Sequence, residues 1–103
     1  MSEADQASHL PPASFEFLVA SLRMQAEIAM IAGPKEEDQP DFDGARHVID
    51  LLGVLEQKTR GNLTFEEQRL LENSLTELRF RYVQAWEDSR KKNAAAGPET
   101  GQA

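Results

Sequence analysis

Between residues 60 and 64 the chain reads Arg60-Gly61-Asn62-Leu63-Thr64, and this short break limits the possible folds more than any other segment. Upstream, Phe42, Ala45, Val48, Ile49, Leu52 and Leu55 recur mostly three and four residues apart, with Leu51 and Val54 broadening the same face. That is the pattern of an amphipathic helix. Downstream, Leu71, Leu75, Leu78, Tyr82 and Trp86 repeat it, flanked by Leu70, Phe80 and Val83. Gly61 suits the left-handed position that follows a helix. Thr64 and Glu67 have the spacing of a capping box, each side chain reaching the other's backbone N–H. The spacing therefore predicts helices over about 42–60 and 65–92. So short a connection makes them antiparallel neighbours.

A further helix is predicted over about 14–32. Pro11-Pro12 prevents it from extending backwards, Ser14 is placed to cap it, and Gly33-Pro34 follows its end. On a helical wheel Glu16, Arg23 and Glu27 share one narrow stripe, and nearly everything else is apolar. One apolar strip holds Phe17, Met24, Ile28 and Ile31; the other holds Phe15, Leu18, Val19, Leu22, Ala26, Ala29 and Met30. Such a helix requires cover on more than one side. The second helix, at roughly 28 Å, is also shorter than the third, at roughly 42 Å. Tyr82, Val83 and Trp86 are thereby expected to overhang it. Helix one or a second subunit would have to cover them. Gly53 inside the second helix marks either a close crossing or a tolerated glycine, and the crossing is the favoured reading.

The net charge of −7 is unevenly spread. Residues 35–43 set Glu36, Glu37, Asp38, Asp41 and Asp43 against Lys35, whereas acids and bases balance over residues 64–92. An acidic linker around residues 34–41, with Asp41 as cap of the second helix, joins helices one and two. This balance repels phosphate backbones and anionic lipid, so neither nucleic acid nor membrane is an expected partner. With no cysteine, disulfides and thiolate metal sites are excluded. The start of the chain shows no basic region followed by an apolar run, and Glu16, Arg23, Gln25 and Glu27 make the most apolar stretch too polar to span a bilayer. The expected location is the cytoplasm. Residues 1–13 and 93–103 read as flexible tails around a single helical domain over 14–92.

Chemistry-bearing residues are sparse. His47 and Asp50 are three apart on the second helix and could share a metal, but two ligands do not make a site. Asp50 falls on the polar arc of its helix. Glu67 is explained as a cap and Glu77 as the i,i+4 partner of Arg81, alongside Glu87–Lys91 and Asp88–Lys92. No Glu-x-x-His motif supports a carboxylate-bridged centre. Ser14, Ser21, Ser74 and Ser89 lack an activating histidine. Arg79, Arg81, Arg90, Lys91 and Lys92 are interrupted by Glu77, Glu87 and Asp88 and read as a solvated face.

The stretches Ile49-Asp50-Leu51-Leu52, Leu55-Glu56-Gln57-Lys58-Thr59 and Gly61-Asn62-Leu63-Thr64, then Glu66-Glu67, Leu75, Leu78-Arg79 and Tyr82-Val83, together resemble a family of short, acidic bacterial proteins known as domain of unknown function 1844. The resemblance covers about residues 14–84. It implies a helical bacterial protein and supplies no catalytic residue to carry over.

The reading is an all-α fold: an antiparallel hairpin of helices two and three packed with helix one, completed by dimerisation. The expected function is a non-enzymatic interaction or scaffold module, with Phe17, Met24, Ile28, Tyr82 and Trp86 as partner contacts and no cofactor. The alternative is a metal-dependent or carboxylate-using enzyme employing His47. Thermal melting during titration with zinc, manganese or iron separates the two. The interaction reading predicts an unchanged melting temperature, and a rise that saturates with metal would favour the alternative.

Overall fold

The computed structural model describes residues 10–33 and 39–96, apart from the side chains of 94–96. It contains α1 (Phe15–Ala29), α2 (Phe42–Lys58) and α3 (Phe65–Ala96), and each helix packs on both others. Among the described residues there is no strand. Polar contacts from α1 to α3 advance in the same chain direction, Arg23 to Ser74 and Glu77, then Glu27 to Arg81. α1 therefore runs parallel to α3, and α2 runs antiparallel to α3 across the short turn.

Every expected helix start is made by the expected side chain. Ser14 Oγ accepts the Phe17 N–H at 3.0 Å, and Asp41 Oδ1 accepts the Gly44 N–H at 2.9 Å. The capping box closes both ways: the Thr64 N–H donates to Glu67 Oε1 at 2.9 Å and the Glu67 N–H donates to Thr64 Oγ1 at 3.1 Å. Gly61, three residues past the end of α2, has φ 86°, the left-handed conformation that carries the chain through the turn.

The helix ends are less local. α1 stops at Ala29, short of the expected Ala32, with Met30 as its C-cap. The Asp41 N–H donates to the Ala29 carbonyl at 2.7 Å, so the start of α2 satisfies the end of α1. Met30 is thereby turned into the core. α2 ends at Lys58, where the Thr59 hydroxyl donates to the Leu55 carbonyl at 2.7 Å. α3 continues to Ala96, beyond the expected 92, so residues 93–96 are helical and not part of a tail. Residues 1–9, 34–38 and 97–103, which include His9 and most of the acidic linker, lie outside the described residues.

The core is one contiguous cluster of Val19, Ala26 and Met30 from α1, Ala45, Ile49 and Leu52 from α2, and Leu71, Leu75 and Leu78 from α3. Phe15, Leu22, Val48, Leu55, Leu63, Leu70 and Tyr82 pack around it. Each fully buried leucine contributes roughly 1.5–3 kcal/mol, which makes the short row on α3 the energetic centre of the domain.

The overhang of α3 begins later than its length suggests. Phe42, the first residue of α2, meets Tyr82 and Trp86 edge to face, with ring centroids at 5.8 Å and 5.6 Å. Val83 has no such contact, and both Val83 and Trp86 remain exposed.

Gly53 is not required by a close helix crossing. A Cβ at that position would meet only the Arg79 guanidinium, at 3.7 Å, which is ordinary contact. Gly53→Ala is therefore expected to raise stability in urea unfolding by about 0.5–1 kcal/mol. Gly61→Ala meets no obstruction either, yet its positive φ predicts a loss of about 1–2 kcal/mol. The opposite signs of the two substitutions are the check.

Candidate helical docking site

The five residues expected to contact a partner fall in two places. Phe17, Met24 and Ile28 line one shallow apolar groove on the outer face of α1, together with Ala20, Ser21 and Gln25. Phe17, Met24 and Ile28 are 44%, 59% and 61% exposed. Tyr82 lies elsewhere, half-buried in a groove between α2 and α3 with Arg46, Ile49, Asp50, Arg79 and Val83. Trp86 joins Tyr82 through Phe42 and not through α1.

The outer groove follows from the way α1 is written. Phe15, Val19, Leu22, Ala26 and Met30 form a seam at spacings of 4, 3, 4 and 4, and this seam enters the core or packs against it. Phe17, Ser21, Met24, Ile28 and Ile31 form another at 4, 3, 4 and 3, the alternation that seats one helix on another. Ile31, just past the helix, is also exposed, as is Leu18 at the side. α1 thus carries two helix-packing seams, and the fold buries one.

An ion-pair clamp decides which. Arg23 Nε donates to Glu27 Oε2 at 3.1 Å, and its Nη2 pairs with Glu77 Oε1. Arg81 Nη1 donates to the same Glu27 oxygen at 3.0 Å. Arg23 Nη1 also reaches the Oγ of Ser74, a fully buried residue, at 3.5 Å. Partial burial is the largest influence on the Arg23 guanidinium and works to lower its pKa. The hydrogen bonds and charges of Glu27 and Glu77 outweigh it, so the pKa is raised and the cation persists at any physiological pH.

The clamp corrects one expectation. Glu77 and Arg81 are not partners along α3; each is paired across to α1. Sequence reasoning missed the clamp and the burial of Ser74. The signal was present in Arg23 and Glu27, the polar pair interrupting an otherwise apolar wheel four residues apart.

His47 and Asp50 are both exposed on α2. Among the described residues no three of His, Cys, Asp and Glu converge on one point. The groove between α2 and α3 places the guanidinium-bearing Arg46 and Arg79 beside Asp50 and the Tyr82 ring, a mixed polar surface.

The fold is a small three-helix unit that leaves one apolar seam of α1 exposed. The chain belongs to the family described as Domain of unknown function (DUF1844), which matches residues 12–84 and so takes in all of α1, α2 and most of α3. No curated protein and no solved structure matches the chain.

Arg23→Ala removes both charge-assisted contacts and the Ser74 contact, and is expected to lower stability in urea unfolding by about 1–2 kcal/mol. Glu77→Ala leaves Arg23 paired with Glu27 and is expected to cost under about 1 kcal/mol. Both losses should shrink in molar salt, because the ion pairs are partly exposed. Equal losses for the two substitutions would show that Arg23 acts through Glu77 alone.

Proposed function

We propose that this protein is a non-enzymatic helical interaction module of the cytoplasm, and that its docking surface is the outer seam of α1. One observation carries the reading: Phe17, Met24 and Ile28 stand exposed in helix-packing register on a helix whose opposite face already fills the core. A seam with this periodicity fits another helix better than it fits a small molecule, because the groove is shallow and continuous along the axis. It also fits another helix better than a lipid surface. The polar stripe of α1 holds Glu16, Arg23 and Glu27, whereas surface-bound helices carry lysine and arginine beside their apolar face. No described helix is long and apolar enough to cross a membrane.

Met24 gives the seam an adaptable side chain, and Phe17 and Ile28 give it firm ends. Tyr82 and Trp86 serve the fold in this reading, since Phe42 engages both. The absence of cysteine suits the reducing cytoplasm.

A photo-crosslinking amino acid placed at Gln25, beside the seam, tests the reading in living cells. The same probe at Asn73, exposed on α3, is the control. The expected result is a protein adduct from position 25, mapped to a helical segment of the captured chain, with only background from position 73. Equal adduct yields from the two positions would overturn the assignment of the surface.

A further inference from the structure

Resting on that reading, we propose the occupant of the seam: a second copy of this chain, laid antiparallel across α1 about a two-fold axis between the levels of Ser21 and Met24. The groove is lined by Phe17, Ala20, Ser21, Met24, Gln25 and Ile28, and these positions are symmetric under reversal. Turning the helix end for end about the midpoint carries Phe17 onto Ile28, Ala20 onto Gln25 and Ser21 onto Met24. The contents complement one another as well as the positions. The small side chain of Ser21 meets the long side chain of Met24, the large residues Phe17 and Ile28 close the two ends, and Ala20 and Gln25 flank the seam on either side. A two-fold interface needs one surface to be its own complement. Small residues facing long ones let two helices approach to about 8 Å between axes.

Charge points the same way. No charged residue lines the groove, and Arg23 and Glu27 are turned to α3 and paired there. Seating a second copy thus buries no charge. An acidic or basic partner would find nothing in the groove to select it. The repulsion between two chains of net charge −7 acts over distances that physiological salt screens within about 8 Å.

The amount of surface also suits. At roughly 150–200 Å² per large side chain, the exposed parts of Phe17, Met24 and Ile28 come to roughly 300 Å², and Leu18 at the side and Ile31 past the helix end raise the bare apolar surface to on the order of 500 Å². That is the upper range of what a monomer leaves bare. With its polar rim it approaches the roughly 800 Å² per partner of a stable pair. The other exposed apolar residues form no such stripe. On α3, Arg69, Asn73 and Thr76 separate Phe65 from the exposed Phe80, Val83 and Trp86, and exposed Arg79, Arg81 and Gln84 stand among these three; on α2, Leu51 and Val54 are a single pair bounded by exposed His47 and Lys58.

The lack of cysteine allows a direct test. Phe17→Cys and Ile28→Cys, both at exposed positions, are oxidised separately and as an equilibrated mixture. Antiparallel pairing predicts a disulfide between positions 17 and 28 in the mixture and none in either variant alone, because like positions lie about 16 Å apart along the axis. Self-linked dimers of each single variant would mean parallel packing and would overturn the proposal. Met24→Glu, whose side chain points away from the core, should keep its helicity while raising the dimer dissociation constant at least about 100-fold, since two-fold symmetry places two carboxylates in the interface. An unchanged dimer mass in that variant would place the interface elsewhere and overturn it too. Light scattering that reports a monomer at every concentration removes the second copy as occupant. In that case an adduct from position 25 to a different protein would leave the docking surface itself standing.

Discussion

The buried row Leu71, Leu75 and Leu78 on α3 is the contact around which the rest of the molecule is arranged. α2 brings Ala45, Ile49 and Leu52 to it, and α1 brings Val19, Ala26 and Met30. Each helix contributes three residues, so the core is one layer thick, and none of the three could bury its stripe without the other two. Nine buried apolar side chains leave a small margin against the conformational entropy of ordering the chain. The caps at Ser14, Asp41 and Thr64, each of order 1 kcal/mol, are therefore a meaningful share of the stability.

α1 poses a problem that the core alone does not solve. Both of its seams are apolar enough to be buried, and hydrophobic burial is non-directional. The polar stripe between the seams resolves the choice. With Val19 and Ala26 inward, Arg23 and Glu27 meet Ser74, Glu77 and Arg81. Rotated by half a turn, the helix would bury Phe17, Met24 and Ile28 and carry the stripe away from α3, leaving Ser74 without its arginine. Exposed ion pairs add little to stability on their own, but here they discriminate between two packings of similar burial.

That discrimination links the fold to the proposed function. A helix with a single apolar face would be used up by its own domain, and one with two can hold its domain and still offer a surface. The parallel run of α1 along α3 keeps the offered face directed outward. The Asp41 to Ala29 hydrogen bond ends α1 where its inner seam turns in at Met30.

Much of this was legible in the residues by themselves. The three helices, their starts at Ser14, Asp41 and Thr64, the left-handed Gly61 and the two apolar strips of α1 all follow from interactions within a few residues of chain, which periodicity and capping chemistry report directly. The docking candidates Phe17, Met24 and Ile28 were visible in the same way, as one strip of a wheel. What only the tertiary structure decided is everything that joins residues far apart in sequence: which strip of α1 faces inward, the pairing of Glu77 and Arg81 with α1 and not with each other, the burial of Ser74 and Met30, and the cover that Phe42 gives Tyr82 and Trp86. Local patterns state what a helix can bury. Only packing against partners some fifty residues away settles what it does bury.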